Sequence, residues 1–239
     1  MKWSASRAIG SPDTSRQHAE AADGMGVMES MSSDSVVTRK RESPPWLIAL
    51  VASAGGIRAI RTILGRLPAD LPATIVIVQH RAPYRKSYLP AILARSSRLP
   101  VRVAEHGDLM EDGVYIARPD FHLLIGRDGR FLYEDGRPIR FIHSSANPLL
   151  ESAARLFGER VIAVVLTGMG ADGTDGVQTV KAHGGLVIAQ DKATSEYWSM
   201  PESALKSGAV DYVLPLEAIA PALIDITEGR RVSQSLETV

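Results

Sequence analysis

The sequence predicts an α/β fold, a three-layer doubly wound and mostly parallel sheet with an antiparallel hairpin insertion. Three observations predict it. Short apolar runs recur without polar alternation, as strands buried on both faces do. Stretches with helical periodicity lie between them. One region of short strand signals separated by turns breaks the alternation.

The first run is 46–53 (WLIALVAS), which ends in small residues. Residues 57–67 follow, with Ile57, Ile60, Ile63, Leu64 and Leu67 on one helical stripe. The second run is 73–80 (ATIVIVQH). Residues 101–103, 113–117, 122–125 and 130–133 then give short strand signals, with Arg127-Asp128-Gly129 as a hairpin turn. Together these are expected to form an antiparallel insertion at the sheet edge. Residues 148–157 return to helical spacing through Leu149, Leu150, Ala153, Ala154 and Phe157. Strand 161–166, helix 178–183, strand 186–190 and helix 218–226 complete the alternation. Right-handed crossovers are the expectation for such a chain.

Composition narrows the function classes. The chain has 239 residues, with Lys+Arg 27 against Asp+Glu 27, so it carries no basic footprint for nucleic acid. Aromatics are 5%, too few for a stacking surface. Cysteine is absent, which excludes disulfides, thiol nucleophiles and cysteine-based metal sites. No apolar run approaches the roughly 18 residues of a membrane span, so no direct membrane insertion is expected. A cytoplasmic location is expected. The first leucine is Leu47, and the segment before it is rich in serine and mixed charge. Residues 1–45 therefore read as a disordered tail. The folded domain is expected over 46–228 and a flexible C-terminal tail over 229–239.

Three polar residues fall at the ends of predicted strands. Ser53 follows the first run, and Ala54-Gly55-Gly56 leads from it into the first helix. Orphan N–H groups and the helix dipole favour negative charge at such a turn. A nucleophilic serine needs donors of that kind for its oxyanion. The same residues also read as a helix N-cap or a phosphate-binding turn, though they match neither G-x-G-x-x-G nor G-x-S-x-G. His80 ends the second run. Parallel strands all finish at one sheet edge, where ligand sites lie, so neighbouring strands would bring Ser53 and His80 together. A structural histidine is the plainer alternative. Asp172 lies in Leu166-Thr167-Gly168-Met169-Gly170-Ala171-Asp172-Gly173, the turn after the strand 161–166. It could orient a histidine, cap a helix, or bind a cation with Asp175, although the spacing is not that of an EF-hand. Taken together, the three point to a serine hydrolase with chain order Ser…His…Asp, unlike the Ser…Asp/Glu…His of α/β-hydrolases.

These residues resemble the CheB family of chemotaxis protein-glutamate methylesterases. The resemblance runs from about Trp46 to Ile226. It rests on Ala52-Ser53-Ala54-Gly55-Gly56, Val78-Gln79-His80, the block from Ala117 to Leu124, the block from Leu166 to Gly173, Ile188-Ala189-Gln190-Asp191 and Ser199-Met200-Pro201. It implies hydrolysis of glutamate methyl esters on the methylated cytoplasmic region of chemoreceptors, with glutamine deamidation in some members. It implies Ser53 as nucleophile, His80 as base and Asp172 as the residue orienting the histidine. Ala54, Gly55 and Met169 are the implied oxyanion and substrate-binding positions. No cofactor and no metal are implied.

The chain departs from the family pattern in places. Val51 and Ala54 stand where Gly and Thr are frequent, and the Arg-Pro-Ser-x-Asp segment appears as His143-Ser144-Ser145-Ala146-Asn147. That block is expected close to the active edge, where it would bear on substrate identity. Asp120 and His122 could line the site, or belong to a turn entering the hairpin with His122 packed beneath it. Many family members carry an N-terminal receiver domain. The 45 residues before Trp46 are expected to be too few for one. Two other readings remain: a non-catalytic interaction module on the same fold, and a nucleotide-binding protein using the Gly55-Gly56 turn.

Overall fold

The computed structural model describes residues 46–81, 87–135 and 144–232. The tail expected over 1–45, His143, and the expected C-terminal tail beyond 232 lie outside the described residues. In chain order the strands are β1 (Trp46–Ala52), β2 (Ala73–Gln79), β3 (Val101–Val103), β4 (Gly113–Ile116), β5 (Phe121–Ile125), β6 (Phe131–Asp135), β7 (Val161–Val165), β8 (Leu186–Gln190) and β9 (Tyr212–Leu214). The helices are α1 (Gly56–Leu64), α2 (Leu89–Ala94), α3 (Asn147–Phe157), α4 (Thr174–Ala182), α5 (Ser199–Lys206) and α6 (Leu216–Thr227).

Seven strands form one sheet in the order β3-β4-β2-β1-β7-β8-β9, and every pairing in it is parallel. β5 and β6 make a separate antiparallel pair. The apolar runs are central strands because both of their faces are covered. In β1, Ile48, Leu50 and Ala52 pack with Ile60 and Ile63 of α1, Leu93 of α2 and Leu223 of α6. Leu47, Ala49 and Val51 face the other way, toward Leu150 of α3, Val177 of α4 and Met200 of α5. Two apolar layers on one strand explain why no polar residue alternates along it.

α6 shows how local chemistry protects an element. Pro221 lies inside the helix. Its ring nitrogen cannot donate to the carbonyl four residues back, that of Glu217. The Arg66 guanidinium donates to that oxygen instead, at 2.7 Å.

One expectation needs correction. Of the four short strand signals read as an antiparallel insertion, only β5 and β6 form one; β3 and β4 are parallel strands of the main sheet. A strand three or four residues long carries no signature of its direction. Direction follows from the partner it meets, and β4 meets the long central β2. The hairpin's outer edge is covered by the β3–β4 connection, through Gly107 N–H to Phe131 O and Phe131 N–H to Asp108 O.

β1 lies between β2 and β7. The chain leaves β1 toward β2, then returns on the opposite side through β7. The sheet therefore has a topological switch point between β1 and β7. A crevice opens at such a point beyond the carboxyl ends of the strands.

Candidate active site

Each candidate residue is delivered to that crevice by a strand end. Register pairs Ala52 of β1 with Gln79 of β2. Ser53 and His80 follow these two residues directly. Ser53 N–H donates to Thr167 O at 3.1 Å, which ties β1 to the loop after β7. Gln79, almost fully buried, donates from Nε2 to Ser53 O at 2.7 Å and to His80 O at 3.1 Å. One amide thus holds the backbones of both residues.

The turn after Ser53 depends on glycine. Gly55 has φ 78°, in the left-handed region, and precedes the first turn of α1. A Cβ there would also come within 2.9 Å of Glu196 Oε2. The N-cap of α1 is Gly55 and not Ser53, so the capping alternative for the serine does not hold. Asp172 is likewise not the cap of α4, which begins after Gly173.

The loop after β7 comes close on the other side. A Cβ built on Gly168 would stand 2.9 Å from Ser53 Cβ and 2.2 Å from Met200 Sδ. Only a glycine lets this loop pack against the serine. Gln190, at the end of β8 and fully buried, accepts Thr167 N–H at 2.9 Å and holds the loop's base. Gly168 N–H donates to Tyr197 O, and Met200 N–H donates to Gly168 O. Met169 projects outward, 61% exposed. Among the described residues, the N–H groups of Ala54 and Met169 donate to no protein acceptor.

His80 Nε2 lies 2.8 Å from Asp172 Oδ2. The side chains are 13% and 2% exposed respectively. Asp172 also accepts the Ser145 hydroxyl on Oδ1 at 2.5 Å and the Ala146 N–H on Oδ2 at 2.7 Å. Burial pushes the carboxyl up. The hydrogen bonds from His80, Ser145 and Ala146, with the attraction of His80, more than offset it, so the carboxyl titrates below its ordinary value. Asp172 is therefore ionised at neutral pH. An ionised carboxylate only accepts, so His80 Nε2 carries a proton, and in the neutral ring the lone pair lies on Nδ1. Among the described residues the Ser53 hydroxyl makes no hydrogen bond.

Asp120 and His122 resolve differently. Asp120 acts electrostatically on the guanidinium of Arg81, the residue after His80. His122 is a buried residue of β5 in the hairpin, 3% exposed, and its Nδ1 accepts Ser145 N–H at 3.0 Å. Sequence reasoning did not single out Ser145. Its signal lay in the His143-Ser144-Ser145-Ala146-Asn147 block, where the serine is the residue of the Arg-Pro-Ser-x-Asp pattern that this chain keeps. No group of His, Asp and Glu suited to a metal ion occurs among the described residues.

A doubly wound α/β domain that gathers a serine, a histidine and an aspartate at its switch point is the class that fold and site define. Comparison with known proteins narrows the class. The CheB methylesterase family model matches residues 48–223. A protein-glutamate methylesterase/protein-glutamine glutaminase of Anaeromyxobacter dehalogenans is 43% identical over 182 residues, 76% of this chain and 53% of that protein. A relative from Leptospira interrogans is 38% identical, over 76% of this chain and 95% of its own. The crystal structure of the Thermotoga maritima CheB methylesterase catalytic domain is 39% identical with a TM-score of 0.74, covering 77% of this chain and 100% of that one. The chain belongs to the CheB methylesterase family. It spans about half the length of several curated relatives that it matches.

Proposed function

We propose that this chain is a protein-glutamate methylesterase acting in the cytoplasm on the methylated cytoplasmic region of chemoreceptors. The observation that carries the reading is the His80–Asp172 bond at 2.8 Å, set at the strand ends beside Ser53. The family membership supports it.

In this reading Ser53 Oγ attacks the ester carbonyl carbon while His80 Nδ1 takes the hydroxyl proton. The ionised Asp172 stabilises the resulting imidazolium and holds the ring. The free N–H groups of Ala54 and Met169 are the donors for the tetrahedral oxyanion, and the Gly55 turn lets the substrate approach closely. His80 then protonates the leaving oxygen, and methanol departs. Water, deprotonated by the same histidine, attacks the acyl-enzyme and releases the glutamate carboxylate. Glutamine deamidation follows the same course with ammonia as the leaving group. Every proton passes through His80, so the cycle needs no cofactor.

The test is methanol release from a methylated receptor fragment, wild type beside Ser53→Ala. The wild type should release methanol, and the variant should be slower by about 10⁴- to 10⁶-fold. Equal release by both would remove Ser53 as nucleophile. Release by neither would remove the esterase reading.

A further inference from the structure

We propose that Ser145 and His122 are positioning residues that aim the Asp172 carboxylate at His80. The proposal rests on the triad reading above. A carboxylate held through one oxygen can turn about its Cβ–Cγ bond, and the direction presented to a neighbouring imidazole turns with it. Asp172 is held at both oxygens. Oδ2 takes His80 and the Ala146 N–H, while Oδ1 takes, among the described residues, only the Ser145 hydroxyl. The Ser145 bond therefore sets the plane of the group.

Ser145 needs support of its own. It precedes the first residue of α3, so no intrahelical bond fixes its N–H. That N–H is bound by His122 Nδ1 at 3.0 Å, between residues 1% and 3% exposed. Accepting at Nδ1 requires the lone pair there, so Nε2 of His122 carries the ring proton. The Ser145 hydroxyl also accepts the Asn147 N–H at 3.3 Å, which closes the turn. A line of hydrogen bonds thus runs from the β5–β6 hairpin through His122, Ser145 and Asp172 to His80. An apolar side chain at position 122 would fill the space but could not accept.

The experiment measures covalent labelling of Ser53 by a small fluorophosphonate, which needs an activated serine but no receptor. Ser145→Ala, His122→Leu and His122→Asn are compared with wild type, and kcat and KM for methanol release are measured alongside. Asn is chosen because its amide oxygen can accept near the place of Nδ1. Ser145→Ala should slow labelling and lower kcat by about 10- to 100-fold, by analogy with residues that orient metal ligands, with KM unchanged. His122→Leu should fall in the same way, and His122→Asn should stay near wild type.

Labelling of Ser145→Ala at the wild-type rate overturns the proposal. An equal loss in His122→Asn and His122→Leu overturns the part assigned to His122, because packing alone would then explain it. If His122→Leu does not fold, Ser145→Ala and His122→Asn still decide. A wild type that labels but releases no methanol removes the esterase reading and leaves this one standing on the labelling rates. A wild type that does not label overturns both.

Discussion

Asp172 carries a linkage between the site and folding. Its folded-state carboxyl titrates below the ordinary value, which is about 3.9 in an unfolded chain. A carboxyl lowered on folding adds stability above its unfolded value, and the contribution is lost as pH falls through the folded value. Stability of the wild type should therefore decline as pH drops below about 4. Asp172→Asn should be less stable at neutral pH and should show a flatter acid limb. Urea unfolding across that range measures both; an unchanged acid limb would mean that other carboxyls dominate it. The residues that form this site differ in how far a sequence exposes them. Ser53, His80 and Asp172 were legible as candidates because each follows a predicted strand toward the same sheet edge, although each taken alone has plainer uses. Ser145 was not, since its partner lies 27 positions away and serine before a helix is common. His122 was legible as a buried residue, but its partner on the Ser145 backbone leaves no mark in sequence.

Two strands end in buried glutamines, and each ties its strand to the crevice. Gln79 closes β2 and donates to the carbonyls of Ser53 and His80; Gln190 closes β8 and accepts from Thr167. Gln79→Leu would leave Ser53 O without this donor, at a cost of about 1–3 kcal/mol. We expect lower stability in urea and slower Ser53 labelling together, since the same amide spaces the backbones of Ser53 and His80. A loss of stability with unchanged labelling would confine Gln79 to packing. The hairpin is pinned at a different point. The Tyr133 hydroxyl donates to Ala104 O and accepts Arg118 N–H, each at 2.9 Å, and burial pushes its phenol up to about 12. Long elements could be read from pattern because several turns of periodicity accumulate. β3 still stood out at 101–103, but β9, also three residues long, was beyond that signal. α2, at six residues, was too short for a helical stripe to stand out. The direction of β3 and β4 was hidden for a further reason, because pairing is a property of the partner strand.

The described domain is built outward from β1. Its side chains enter both apolar layers, and six of its seven residues are buried. Leu50 is fully enclosed on the α1 and α6 side. Leu50→Ala should cost about 2–5 kcal/mol through lost burial and the cavity left behind. That is a large share of the roughly 5–15 kcal/mol by which a domain is stable. Chemical denaturation should show a lower midpoint with an unchanged slope, whereas a changed slope would point to an altered denatured state. The three-layer class was legible at this scale since continuous apolar strands alternate with amphipathic helices. The switch point was not, because strand order depends on which side of β1 each later strand joins.

The seam between β1 and β7 also bears on inheritance. The first half of the domain carries Ser53, His80 and His122, while the second carries Ser145, Gly168 and Asp172. His80 and Asp172 meet across 92 positions of chain. Under the proposed function, a gene fragment that stops after the hairpin encodes the serine and histidine without the aspartate, and one that begins at Ser144 encodes the aspartate without them. On that proposal neither half works alone, so selection on the proposed chemistry acts on the domain as one unit.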